Sequence, residues 1–322
     1  MMDIAITGSI AYDYLMRFPG KFADHIIPDK IDRISLSFLV DDMTKHWGGV
    51  AANIAYTLAL LGQQPRPKLV GTVGRDFGDY RAWLERVGVD TSTVRQIDDV
   101  FTASFFVNTD TANNQIASFY TGAMAYARNF TLAELLPAPP DLVVISPNDP
   151  VAMQQYVDEC HASGIPFLYD PSQQVARLDG ETLKKGIEHC HLLVCNDYEF
   201  AIIVQKTGLS PKAIVDQVPV VVVTRGENGA HIHAEGRLIE VPVFPVQRIA
   251  DPTGVGDAFR GGLLRGLAAA WPWELCGQVG ALCAAYVLEN VGTQTHTFTL
   301  PDFIERFRTV FDDGGRLDEL LA

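Results

Sequence analysis

Residues 141–170 read DLVVISPNDPVAMQQYVDECHASGIPFLYD. Leu142–Ile145 predicts a strand, 151–162 a helix and 166–170 a second strand. Towards the C-terminus the alternation continues, with a helix at 181–189, a strand at 192–195, a helix at 198–206 and the unbroken apolar strand Val220–Thr224. Strands of nearly continuous apolar content, separated by helices, call for a parallel sheet buried on both faces. Outward in the other direction, 3–10 suits a first buried strand. Apolar residues at helical spacing (Val50, Ile54, Leu58, Leu61 and Phe77, Tyr80, Leu84, Val87) predict helices over 49–61 and 77–87. Past Thr224 the sequence predicts a hairpin, 230–233 and 238–241, turning through Glu235-Gly236-Arg237. Helices follow over 255–270, 274–290 and 301–310.

Two segments break the alternation. Residues 14–45 and 102–120 hold strand-like runs at 34–40 and 103–107, exposed-looking aromatics and no crossover helix. They read together as a small sheet over the main one. The expectation is an α/β fold: a single domain over 1–322, with a central, mostly parallel sheet flanked by helices on both faces and a β lid formed by about 14–45 and 98–122. The exposed apolar strands of such a lid could pair with a second copy, giving a homodimer.

Composition narrows the function. The chain has 322 residues, 48% of them hydrophobic, enough for a large core. A formal net charge of −14 without a Lys/Arg cluster argues against a nucleic-acid partner. It also disfavours anionic ligands, so a bound nucleotide must be held by local amides and a metal ion. The N-terminus carries no basic, apolar leader pattern, and the longest apolar stretches are too short or interrupted to span a bilayer; a soluble, cytoplasmic protein without a membrane partner is expected. Five cysteines without a C-x-x-C imply neither a disulfide framework nor a zinc ribbon, and the His189-Cys190-His191…Cys195 cluster reads as a helix end and a buried strand.

The strongest chemical signal is Asp251-Pro-Thr-Gly-Val-Gly-Asp257-Ala-Phe259, followed at once by an apolar helix. Glycines there leave main-chain N–H groups free at a helix N-terminus, so Gly254, Val255 and Gly256 can form an anion hole. Asp257, in the first helical turn, can take the proton of an attacking hydroxyl. An N-capped helix after a glycine turn would explain one Asp and one Gly but not the whole string. Trp47-Gly48-Gly49-Val50-Ala51-Ala52-Asn53 opens another helix; its glycines allow close approach of a ligand and Asn53 can donate to and accept from a sugar hydroxyl. A plain glycine turn is the alternative. Asn196-Asp-Tyr-Glu199 stands where a strand meets a helix, a position at which Glu199 can hold Mg²⁺ through water, or simply complete an N-cap. Thr224-Arg225-Gly226…Gly229 could touch nucleotide phosphates or form only a turn. Asp13, after the first strand, can accept from both hydroxyls of a vicinal diol or serve as a turn residue. Neither a G-x-x-x-x-G-K-[ST] loop nor a dinucleotide-binding fingerprint occurs.

In order and over essentially the whole chain, these motifs resemble the ribokinase (PfkB) family of carbohydrate kinases. The resemblance implies a ribokinase-like fold, ATP and Mg²⁺. Many members are activated by a monovalent cation; for K⁺ here it would implicate Asp251, Thr253 and the backbone around Asn290 and Gly292. Five stretches (8–22, 34–42, 115–124, 170–178 and 251–260) further resemble bacterial adenosine kinases of the mycobacterial type. That likeness implies that Ser9, Asp13, Gly48, Gly49 and Asn53 hold a ribose, that Ser37 and Arg177 help line the site, and that Phe105 and Phe119 sandwich a purine; lid packing is the alternative for both rings. Pro252 and Val255 replace residues usual in the wider family without removing a donor from the hole. The expected activity is transfer of the γ-phosphate of ATP to the 5′-hydroxyl of adenosine. The rivals are a kinase of the same fold acting on ribose, fructose or another nucleoside, and a non-catalytic ligand-binding regulator.

Overall fold

The structure, a computed structural model, describes residues 2–33 and 35–321. The chain opens with β1 (Ile4–Thr7), β2 (Ala11–Arg17), β3 (Asp42–Gly48), α1 (Val50–Leu60), β4 (Lys68–Gly74) and α2 (Gly78–Val87). Then come β5 (Val94–Ile97), β6 (Ala103–Thr109), β7 (Gln115–Tyr120) and the single turn α3 (Leu132–Leu135). The regular alternation follows: β8 (Leu142–Ile145), α4 (Pro150–Ser163), β9 (Phe167–Tyr169), α5 (Gly180–His189), β10 (Leu192–Asn196), α6 (Asp197–Thr207), α7 (Pro211–Gln217) and β11 (Val220–Thr224). The hairpin β12 (Ala230–Ala234) and β13 (Arg237–Val241) leads to α8 (Val255–Ala268), α9 (Trp273–Leu288) and α10 (Leu300–Arg308).

Nine strands make one sheet in the order β13-β12-β11-β10-β9-β8-β1-β4-β5. All neighbours are parallel except β12 with β11 and with β13. Successive side chains of a strand point to opposite faces, so one strand feeds two cores. Ile4, Ile6, Leu193's neighbours Leu192 and Val194, and Val222 pack with α1, α2, α8, α9 and α10 on one face. Ala5, Leu193, Cys195 and Val223 pack with α4, α5, α6 and α7 on the other. This is why these strands read as unbroken apolar runs. The five cysteines are buried and free, and no described helix is long and apolar enough to cross a membrane.

A second sheet has the order β3-β2-β6-β7. Its strands differ from the expectation in one respect. Residues 35–40 are irregular, with Leu39 84% exposed, and Ile34 lies outside the described residues. The pairing partner of β2 is the next, more polar segment, β3, in register from Ala11–Gly48 to Arg17–Asp42. Apolar content misleads here because most of β3 is exposed, so backbone pairing with the seven residues of β2 selects the strand.

Candidate active site

The C-terminal ends of β1, β8 and β9 and the start of α8 border a cleft of about 420 Å³, roofed by β2, β6 and β7. A sheet edge of this kind is where open α/β folds bind ligands. A roomier groove of about 750 Å³ along α4 and α5 is lined mainly by surface side chains. The smaller cleft is where Asp257, Asp13, Asn53, Gly254 and the rings of Phe105 and Phe119 converge.

Gly254 caps α8 at φ +78°, a left-handed conformation that favours glycine, and a Cβ there would lie 2.8 Å from Thr293. The amide of Thr253 is taken by Asp251 Oδ1 at 2.9 Å. Val255 reaches Pro252 O only at 3.5 Å, and among the described residues the amides of Gly254, Gly256 and Asp257 have no acceptor. Unpaired N–H groups and the helix dipole together make a site for negative charge.

Asp257 presents its carboxylate beside these amides. Oδ2 accepts a 2.8 Å bond from Asn53 Nδ2, leaving Oδ1 for a ligand. Burial pushes its carboxyl up to about 6; Arg260 and the Asn53 bond pull it down, and Glu199 adds to the rise. Behind it, Arg260 pairs with Asp170, with Nε 2.6 Å from Oδ2 and Nη2 donating to Oδ1 at 2.7 Å; the two side chains are 6% and 0% exposed. A buried pair of this quality keeps a cation one helical turn from Asp257, and removing either partner would strand a buried charge.

The roof is organised by register. His46, Asp13, Phe105 and Phe119 pair in one row across four strands and so share a face. The Asp13 carboxylate has no hydrogen-bond partner among the described residues. Burial, then Asp257 and Asp251, push its carboxyl up to about 6. Phe119 is 48% exposed, so one side of the cleft stands open.

The glycines of the first motif serve packing. A Cβ on Gly48 would lie 2.4 Å from Asp13 Oδ2, and one on Gly49, at φ +96°, 2.5 Å from Ser9 O. Ser9 Oγ accepts from Val50 N at 3.0 Å, which ties the turn after β1 to the start of α1 and leaves the hydroxyl hydrogen free. Arg177 lines the cleft; Ser37 is exposed and lies outside its lining.

The remaining expected residues lie along the same strand edge. Asn196 and Thr224 are register partners at the ends of β10 and β11. Asn196 and Glu199 form a capping box: Asn196 Oδ1 accepts from Glu199 N at 2.7 Å and Glu199 Oε2 from Asn196 N at 2.8 Å. Glu199 Oε1 accepts from Ser172 Oγ at 3.3 Å. Arg225 Nη1 lies 2.6 Å from His231 Nε2, and Gly226 opens a turn. Gly229 holds the hairpin, because a Cβ there would meet Val241 O at 2.0 Å. Asp251 staples two loops, Oδ2 accepting from Gly292 N at 3.1 Å, and Asn290 Nδ2 donates to Tyr286 O at 2.8 Å.

Residues that sequence reasoning did not single out also reach the cleft: Met124, Pro147, Gln173, Gln174 and Thr293. Arg260 had a visible signal, a charged residue amid the apolar and glycine positions of its helix, three residues after Asp257. Thr293 and Gln294 had none, since their contacts lie some 240 residues away in sequence.

Residues 11–299 match the pfkB family of carbohydrate kinases. The nucleoside kinase of Methanocaldococcus jannaschii is 27% identical over 95% of this chain and 97% of its own length. Its structure, described as an archaeal member of the ribokinase family, superposes with a TM-score of 0.86 over 96% of this chain and 99% of that one. The nucleoside kinase of Burkholderia thailandensis in complex with inosine is 37% identical, with a TM-score of 0.84, covering 96% of this chain and 98% of that one. Its complex with ADP-inosine is 38% identical, with a TM-score of 0.82 and 96% of each chain covered.

Proposed function

The chain belongs to the pfkB family of carbohydrate kinases and is a phosphotransferase with a hydroxyl acceptor, and we propose that it transfers the γ-phosphate of ATP to the 5′-hydroxyl of adenosine. The observation that carries the reading is Asp257, with one oxygen free, beside the unpaired amides of Gly254 and Gly256 in a cleft roofed by Asp13 and two aromatic rings. Relatives named nucleoside kinases support a nucleoside over a free sugar. Adenosine within that class rests on the residues likened above to adenosine kinases.

The nucleoside's ribose lies between Asp13, Ser9, Gly48, Gly49 and Asn53. Asp13, whose oxygens are unengaged, accepts from the 2′- and 3′-hydroxyls. Phe105 and Phe119 hold the base, Arg177 stands at the edge of the cleft, and Ser37, outside the lining here, reaches it as the lid closes. The 5′-oxygen attacks the γ-phosphorus as its proton passes to Asp257 Oδ1. The bond between that phosphorus and the β–γ bridging oxygen breaks, and ADP leaves. The amides of Gly254, Val255 and Gly256 face the charge on the transferring phosphoryl oxygens. Asn196, Thr224, Arg225, Gly226 and Gly229 line the nucleotide along the strand edge.

Glu199 would hold Mg²⁺ through water, and the ion would supply positive charge against the nucleotide phosphates. The residues fit a water-mediated ion: Glu199 is one carboxylate with both oxygens already accepting protein bonds, and Mg²⁺ usually keeps several waters. Asp251, Thr253, Asn290 and Gly292 surround the position proposed for K⁺. The small sheet, with its bordering segments about 14–45 and 98–122, acts as the lid, and its closure excludes water. The same exposed sheet offers a dimer surface, and a cytoplasmic location follows from the substrates.

A coupled assay of ADP release with adenosine, inosine, cytidine, ribose and fructose tests the reading. Adenosine should give the highest kcat/KM. Preference for inosine or cytidine would overturn the base assignment, preference for ribose or fructose would overturn the nucleoside, and release from none would overturn the kinase itself.

A further inference from the structure

Between the back of the cleft and Asp257, two buried amides stand in single file. Trp83 Nε1 donates to Gln294 Oε1 at 3.2 Å. Gln294 Nε2 donates to Asn53 Oδ1 at 2.9 Å and also to the Tyr80 hydroxyl, which donates onward to Gly48 O at 2.9 Å. Asn53 Nδ2 donates to Asp257 Oδ2. We propose that Gln294 is a positioning residue for the phosphotransfer: it locks the Asn53 amide with its NH₂ group, rather than its oxygen, against Asp257. The proposal rests on Asp257 being the base.

The argument follows the donor inventory. An indole N–H only donates, so it fixes Gln294 with Oε1 towards Trp83 and Nε2 towards Asn53. A carboxylate only accepts, so the other end of the file is fixed too. Were Asn53 turned over, its Nδ2 would face Gln294 Nε2 and its Oδ1 would face the Asp257 carboxylate. Two bonds would become two repulsions. Thr293 Oγ1, 2.9 Å from Asn53 Oδ1 and 2.7 Å from Trp47 O, cannot make this choice, because a hydroxyl both donates and accepts. Gln294 is 2% exposed and Asn53 5%, so water does not compete for these bonds.

The consequence reaches the chemistry. Asp257 Oδ2 is held, Oδ1 is presented to the acceptor, and the second Nδ2 hydrogen of Asn53 remains for the same hydroxyl. The loop after α9 thereby orients a base on α8. The charged groups around Asp257 are Arg260 on its own helix, Glu199 from α6, Asp13 from β2 and Asp170 after β9; Asp251, in the preceding loop, acts on Asp13. None of them belongs to the file, so the file contributes orientation and one bond, not charge.

Gln294→Glu keeps the shape and replaces the donor by an acceptor. It should lower kcat roughly 10- to 100-fold while both KM values stay within about threefold, as for a small misplacement of a reacting group. The acid limb of kcat should move up, because the bond holding the carboxylate ionised is lost and a second carboxylate then stands one amide away; Trp83→Phe, which adds no charge, separates the two causes. Trp83→Phe should show the same pattern more weakly. In an Asn53→Ala background, Gln294→Leu should cost less than about twofold more, since its effect runs through Asn53. Lowered thermal midpoints with unchanged kcat and acid limb would overturn the proposal, as would multiplicative losses in the double variant. If Gln294→Glu does not fold, Trp83→Phe and the double variant decide the matter. A wild-type protein that turns over no acceptor would remove the base assignment and this proposal together; an active wild type with silent Gln294 variants would remove this proposal alone.

Discussion

The floor and the roof of the cleft are built on opposite terms. The floor, at the start of α8, is fixed by contacts that leave no slack: Gly262 lies against Gly280 so closely that a Cβ would stand 2.7 Å from its Cα, Gly254 packs on Thr293, and Arg260 is locked to Asp170. The roof is a four-stranded sheet whose outer strand, β7, is exposed along all six residues. On the proposed reading, groups that meet a transition state sit where the backbone cannot drift, and groups that select a substrate sit on an exposed sheet. Catalysis tolerates misplacement poorly, whereas admission of a ligand requires movement.

The sharpest way to break that division is Asp257→Asn. On the floor the exchange conserves shape and the Asn53 contact, so the fold should stay intact while kcat falls by roughly 10³-fold, within the range of general-base contributions. Single-turnover kinetics beside a thermal melt measures both. Turnover within about tenfold of wild type would place the chemistry elsewhere.

Next in size is Phe119→Ala in the roof. Loss of one stacking ring should raise the nucleoside KM about tenfold and leave kcat within about twofold, since stacking on a base is worth on the order of 1–3 kcal/mol. The KM for a free sugar should not move. An equal fall in kcat would mean that the roof also positions the reacting hydroxyl, and the contrast between the two regions would dissolve.

The same contrast governs what the sequence disclosed. Val220–Thr224 was legible because both faces of β11 meet a core, and the glycine-rich entry to α8 because its residues are adjacent in the chain. The roof was blurred. β2 sends Tyr12 inward and Asp13 to the cleft, and β3 is largely exposed, so neither shows the alternation of a half-buried strand. The apolar run at 34–40 therefore drew attention from the polar segment that pairs with β2. The amides around Asn53 were illegible for a different reason: their meaning lies in pairings between distant segments, which no local pattern encodes.

The smallest expected effect lies where floor and roof face each other. Asp13 and Asp257 each have a carboxyl raised to about 6, first by burial and then by neighbouring carboxylates. A raised carboxyl is more easily protonated in the folded chain than in the unfolded one. Its stabilising contribution is present below the ordinary carboxylate range and is lost as the pH rises through 6. At pH 7.5 the ionised pair therefore costs stability, and Asp13→Asn relieves part of that cost. The thermal midpoint of this variant should exceed that of wild type by about 1–2 °C at pH 7.5, and the gain should vanish near pH 4.5. Its nucleoside KM should rise, because one acceptor for the diol is weakened. A gain of equal size at both pH values would show that packing against Gly48, and not charge, sets the balance. A loss at pH 7.5 would mean that the carboxylate is stabilised across the cleft, and the roof would then be fastened to the floor rather than poised above it.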